Sequence, residues 1–190
     1  TDIYKPIKPY VCLYLRDGGF KSEGSLLHHD SDRNVDTSSF LPIIEELILQ
    51  GYTVIRLGDP QQSPIPYDSD SYFEYLHSAL KSDINDLYLV SQCEFVIVGG
   101  AGGGANVGDI FCKPTLFIDY PIARRGLFNP LGVSIPKSYY LHNEPLPLSR
   151  LLSMTPHGVH DAIALSEVGI TSVSADRDLV IDNLRKFIQC

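Results

Sequence analysis

Phe95-Val96-Ile97-Val98-Gly99-Gly100-Ala101-Gly102-Gly103-Gly104-Ala105-Asn106 is the stretch that decides the fold. Four apolar residues read as a buried strand, six small residues as a loop, and Asn106–Phe111 as the start of a helix. Cys112-Lys113-Pro114 stops that helix, and Thr115-Leu116-Phe117-Ile118-Asp119 reads as a second buried strand. A strand, a glycine loop, a short helix and a strand make a nucleotide-binding half-unit. Backbone N–H groups left open by small side chains, followed by a helix start, suit an anion and most often a phosphate. The competing reading is a tight turn that needs glycine only for packing.

The same alternation extends to both sides. Upstream, Tyr10–Arg16 reads as a buried strand, and a loop rich in Gly, Ser, His and Asp runs from Asp17 to Asp36. Asp36 or Thr37 caps a helix with apolar residues at Phe40, Ile43, Ile44, Leu47 and Ile48, and Gly51 ends it. Tyr52–Leu57 follows as a strand, then helices over Tyr72–Leu80 and Asp83–Ser91. Downstream, Ile122–Met154 shows little regular pattern. Ala162–Leu165 reads as a short helix, Val168–Val173 as extended, and Leu179–Ile188 as an amphipathic helix started at Ser174–Asp178. Strands alternating with helices imply an α/β, Rossmann-like parallel sheet flanked by helices, in a single domain over residues 1–190.

Composition narrows the function classes. A net charge of −8, with no basic tract, speaks against non-specific nucleic-acid binding. No apolar run reaches the roughly 18 residues of a spanning helix. The cysteines Cys12, Cys93, Cys112 and Cys190 show no zinc spacing, and Cys12 and Cys93, in or beside strand-like runs, read as buried free thiols in a reducing, cytoplasmic setting. No secretory leader opens the chain, which begins at Thr1 and reads as a fragment of a longer protein.

In open parallel sheets ligands lie outside the carboxyl ends of the strands. Arg16 and Asp17 follow the first strand there, Arg56 and Gly58 the second, and the glycine run a later one. With Arg33, up to three guanidinium groups are expected to face one anionic ligand. The polar cluster His28-His29-Asp30-Ser31-Asp32-Arg33-Asn34-Val35-Asp36 offers Asp32 and His29 as weak candidates for a catalytic base, or else Asx turns and a helix cap. No metal site is expected, because neighbouring histidines do not easily face one ion. A Walker loop is absent, since no GK[ST] follows the glycines. The dinucleotide pattern GxGxxA is met by Gly100-Ala101-Gly102-Gly103-Gly104-Ala105, with Asp119 ending the next strand. That pattern keeps an NAD(P)- or flavin-dependent oxidoreductase, or a non-catalytic nucleotide-binding module, open as alternatives.

The ordered series Tyr14-Leu15-Arg16-Asp17, Asp32-Arg33-Asn34-Val35-Asp36 and Gly51-Tyr52-Thr53-Val54-Ile55-Arg56-Leu57-Gly58 resembles a family of bacterial glycosyltransferases that carry YxRD, RNxD and GYxVIRxG. Asp86-Leu87-Tyr88-Leu89, Lys113-Pro114 and Ile135-Pro136-Lys137 look like its continuation. The family is similar to the donor-binding half of GT-B enzymes and, more faintly, to fucosyltransferases. The resemblance implies a nucleotide-sugar donor as substrate, no further cofactor, a glycan or other hydroxyl acceptor, and a separate acceptor-binding lobe. It implies a donor diphosphate held by Arg16 and the backbone of Gly100, Gly102, Gly103 and Gly104. Asp17, Arg33, Asn34, Arg56 and Gly58 then act in support. Serine or threonine is common among the loop glycines of such proteins, whereas this loop has only glycine and alanine.

Overall fold

A computed structural model describes Pro6 and residues 9–18, 31–121, 130–154 and 162–189. Six strands form one sheet: β1 (Tyr10–Leu15), β2 (Thr53–Leu57), β3 (Tyr72–Phe73), β4 (Val96–Gly99), β5 (Thr115–Tyr120) and β6 (Gly132–Pro136). Their spatial order is β3-β2-β1-β4-β5-β6 and every pair is parallel. This is the doubly wound Rossmann-like order, whose chain direction across the sheet reverses between β1 and β4. The expected fold class is what forms.

Alternation along each strand feeds two cores. Val11, Leu13 and Leu15 of β1 face one side, with Ile43, Ile44 and Leu47 of α1 (Leu41–Leu49) and Val180 and Leu184 of α6 (Arg177–Ile188). Tyr10 and Cys12 face the other, with Leu89 and Val90 of α2 (Asp83–Gln92); Val107 of α3 (Gly104–Ile110) packs at its margin. The α1 entry follows the sequence reading. Asp36 accepts from Ser38 N–H at 2.9 Å, a 3-10 turn covers Thr37–Phe40, and Gly51 closes the helix at a φ of 89° that favours glycine.

Two expectations are corrected. Tyr72–Leu80 does not form a helix: Tyr72–Phe73 pairs with the open edge of β2, and Tyr75–His77 makes one 3-10 turn. Edge pairing wins because Val54 N–H donates to Ser71 O at 2.8 Å, while the Glu74 carboxylate collects Tyr72 OH at 2.6 Å and Ile65 N–H at 2.7 Å. The Pro- and Leu-rich region is also more regular than its pattern predicts. It supplies β6, then β7 (Ser138–Leu141), β8 (Glu144–Pro145) and α4 (Leu148–Met154); residues 122–129 lie outside the described set.

β7, β8 and β9 (Ile170–Val173) form a small antiparallel sheet in the order β8-β7-β9. α4 and α5 (Ala162–Glu167) cover it over Tyr139, Leu146, Leu151, Leu165 and Ile170. Polar bonds tie it to the 3-10 turn Ser31–Arg33 that follows β1. Lys137, 8% exposed, donates to Asp32 O at 2.6 Å, and Ser172 Oγ donates to Asp32 Oδ1 at 2.5 Å.

Candidate functional site

The carboxyl ends of β1 and β4 open onto a cavity of about 340 Å³ at the point where the strand order reverses. A cavity in this position is where doubly wound sheets place their ligands, and its size falls at the low end of small-molecule sites. Tyr14, Leu15 and Arg16 enter from the end of β1; Gly58, Asp59 and Gln62 come from the turn after β2. Asp86 comes from α2, Val98 and Gly99 from β4, and Gly102, Gly103, Gly104 and Val107 from the loop and helix that follow.

Arg16 is held in place rather than dangling from the edge. Its backbone N–H donates to Gly99 O at 3.0 Å, which fixes the strand end against β4. Its Nε donates to Asn34 Oδ1 at 3.0 Å and its Nη1 to Ala101 O at 3.2 Å, so the guanidinium lies across the glycine loop. Arg33 Nε reaches the same Ala101 carbonyl at 3.0 Å. Two of the three expected arginines therefore converge on one loop oxygen, with Asn34 setting the orientation of the first. Arg16 lines the cavity, whereas Arg33 shares its loop carbonyl without lining it.

The glycines divide by what surrounds them. Gly99 has Phe40 and Leu15 where a Cβ would go, and Gly104 has the Tyr14 ring. Gly100 adopts a φ of 73°, and its N–H is taken by Ile118 O at 2.9 Å; a Cβ there would strike the Arg33 carbonyl. Gly100 is thus turned into the fold and does not line the cavity. Gly102 has only the Arg16 stem beyond 3.6 Å, and Gly103 has nothing within 4 Å. Packing accounts for glycine at 99, 100 and 104, and open space toward the cavity is left at 102 and 103.

The remaining candidates are placed as follows. Asp17 Oδ2 accepts from Ser63 N–H at 3.0 Å and pins the turn after β2 to the end of β1. Gly58 lets Gln62 fold back, and Gln62 Nε2 donates to Leu15 O at 2.6 Å. Arg56 does not face the cavity. It is 0% exposed and donates from Nη1 to Glu74 Oε1 at 2.9 Å and to Ser63 O at 2.8 Å. The register gives the reason: Arg56 lies opposite Leu13, well below the level of Arg16. Asp32 is committed to Lys137 and Ser172 between the two sheets, and His29 lies outside the described residues.

Four polar wall residues were given no site role by the sequence: Tyr14, Asp59, Gln62 and Asp86. Asp86 is the most informative. It pairs with Lys81 through Oδ2, while Oδ1 is buried with no hydrogen-bond partner. A buried carboxylate oxygen without a donor is costly, so the Lys81 pairing carries the charge compensation of this residue. Tyr14 packs beside it, and burial pushes its phenol above the ordinary range, so it stays neutral and can donate.

Asp119, the acidic end of the dinucleotide pattern, has a different use. It sits at a register irregularity in β5 with a φ of 57° and is 0% exposed. It accepts from Ala175 N–H at 2.6 Å and from Arg177 Nη2 at 2.7 Å, anchoring the start of α6. Both oxygens are engaged, and neither is presented to a ribose at the cavity. Among the described residues no group of three or more His, Cys, Asp or Glu converges, and no helix is long and apolar enough to cross a membrane.

The arrangement defines a Rossmann-like α/β domain with a cavity at its topological switch point. No protein-family model, no curated protein and no solved structure matches the chain.

Proposed function

We propose that this chain is the nucleotide-sugar-binding domain of a glycosyltransferase, working with an acceptor-binding lobe. The observation that carries the reading is the composition of the switch-point cavity. It is lined by a guanidinium and glycines (Arg16, Gly102, Gly103, Gly104), by apolar and aromatic side chains (Tyr14, Val98, Val107) and by the carboxyl-bearing residues Asp59 and Asp86. A nucleoside diphosphate carries groups that suit each kind of lining: an anionic diphosphate, a planar base, and hydroxyl and N–H donors.

Glycosyl transfer breaks the bond between the anomeric carbon and the diphosphate oxygen, so negative charge grows on the leaving phosphate. Arg16, steadied by Asn34, supplies a charge at that end, and Arg33 adds to the local potential. In this reading the N–H groups of residues 102–104, which line the cavity, add hydrogen bonds. Preorganised donors of this kind stabilise a developing oxyanion without reorganising during the reaction, and can do so without a metal ion. The acceptor hydroxyl and the base that deprotonates it belong to the acceptor-binding side. The donor is the substrate, and the domain needs no further cofactor in this reading.

Isothermal titration of the purified chain with UDP, GDP, the matching nucleosides and NADH tests the proposal. The expected result is binding of at least one nucleoside diphosphate, more tightly than its nucleoside and more tightly than NADH. Preference for NADH would overturn the reading in favour of a dinucleotide enzyme, which the buried and fully engaged Asp119 already disfavours.

A further inference from the structure

Cys12 and Cys93 lie far apart in sequence but side by side in the fold. Cys12 sits in β1, and Cys93 is the C-cap of α2 just before β4. Two backbone hydrogen bonds draw their segments together: Glu94 N–H donates to Tyr10 O at 2.9 Å, and Cys12 N–H to Phe95 O at 3.2 Å. Both side chains enter the same apolar cluster, Cys12 at 0% exposure and Cys93 at 2%, and both are free. We propose that Cys12 and Cys93 form a redox pair that closes to a reversible intrachain disulfide beneath the cavity wall.

The surroundings assign the roles. The Cys12 S–H and the nearby Lys113 charge hold the Cys93 thiol below its ordinary value, while burial pushes Cys12 up. Lys113 is fixed there by donating to Cys93 O at 2.8 Å. With the Lys113 ammonium bonded to its own carbonyl, Cys93 is the thiol placed to meet the oxidant as thiolate, and Cys12 the one to resolve it. With a peroxide as oxidant, the Cys93 thiolate attacks one peroxide oxygen and is oxidised to a sulfenic acid, releasing hydroxide. Cys12 sulfur then attacks the sulfenic sulfur; its proton joins the departing hydroxide as water, and the S–S bond closes. Two thiols and one hydrogen peroxide give one disulfide and two waters. Closure gives up the Cys93 Sγ–H contact to Val90 O at 3.2 Å.

The bond would join two elements that build the cavity. Cys12 shares its strand face with Tyr14, and α2 carries Asp86. Because both sulfurs are buried, peroxide reaches them only through local opening, and closure is slower than oxidation of the exposed Cys112. The chemistry does not depend on what the cavity binds.

The test uses the full chain carrying Cys112→Ser and Cys190→Ser, treated with hydrogen peroxide, quenched, denatured and alkylated. The expected product is about 2 Da lighter, resists alkylation at both remaining cysteines, and yields a cross-linked Cys12–Cys93 peptide that dithiothreitol reverses. Adding Cys12→Ala should abolish the mass loss and leave Cys93 open to over-oxidation. Two outcomes would overturn the proposal: both thiols remaining alkylatable under conditions that fully oxidise Cys112 in the parent chain, or Cys93 passing to sulfinic acid while Cys12 stays free. Neither depends on the behaviour of a core variant.

Discussion

Arg16 and Arg56 come at the ends of adjacent parallel strands, each after an apolar run, yet their environments are opposite. Arg16 stands one residue beyond β1 and lies across the glycine loop, on Asn34 and Ala101. Arg56 is still inside β2, opposite Leu13, and is sealed under the turn that follows, against Glu74 and Ser63. A few residues of register turn one guanidinium into a cavity wall and the other into an internal strut. The lesson is that a charge at a strand end gains a ligand-facing position only once the neighbouring strand fixes its height.

The contrast can be broken most forcefully at Arg56. Replacing it by Met leaves the Glu74 carboxylate in place with its cation gone, and removing one partner of a buried pair typically costs about 3–5 kcal/mol. Urea denaturation should show a loss near the lower figure, since Glu74 retains 20% side-chain exposure. Adding Glu74→Gln should recover part of it. A loss below about 1 kcal/mol would mean that the pair behaves like a surface bridge.

The glycine loop offers a smaller and sharper test. Gly104→Ala pushes a methyl group into the Tyr14 ring and should cost about 1–3 kcal/mol in denaturant unfolding. Gly103→Ala meets open space and should change stability by about 0.5 kcal/mol or less, while lowering nucleotide affinity in a binding titration. Equal destabilisation at both positions would erase the division between packing glycines and cavity glycines.

The smallest effect concerns a charge remote from the cavity. Glu46 accepts from Arg185 Nε at 2.9 Å and Nη2 at 2.8 Å and from Gln50 at 2.8 Å, and these bonds hold its carboxyl below the usual carboxylate value. A folded-state value below the unfolded one contributes stability above about pH 4.3, the ordinary glutamate value, and that contribution fades as pH falls through the folded value. Glu46→Gln should therefore flatten the acid limb of a stability-versus-pH curve and leave its shape above pH 6 unchanged.

Much of this architecture was legible from residue pattern. Apolar runs of strand length, the Asp36 cap and the Gly51 stop fix β1, α1 and β2, and the small-residue run fixes the β4–α3 turn. Sheet order was not legible, because no local signal says that β1 lies between β2 and β4. That order creates the cavity and brings Asp86 and Gln62 to Arg16 and Tyr14 from distant parts of the chain. Asp32 looked available because its cluster is polar, but its partners Lys137 and Ser172 lie more than 100 residues downstream, and no local signal pairs them with it. The Tyr72–Leu80 reading failed for a similar reason: an open strand edge and the Glu74 carboxylate outweigh local helix preference.

The central claim is that Arg16 and the loop it crosses hold a diphosphate. The most direct measurement is the affinity of parent and Arg16→Ala chains for a nucleoside diphosphate and for the bare nucleoside, by calorimetry at one ionic strength. A hydrogen bond between charged groups contributes about 1.5–3 kcal/mol, so the variant should lose roughly 10- to 100-fold for the diphosphate and little for the nucleoside. The same loss for both ligands would contradict the claim and move Arg16 from the ligand to the scaffold.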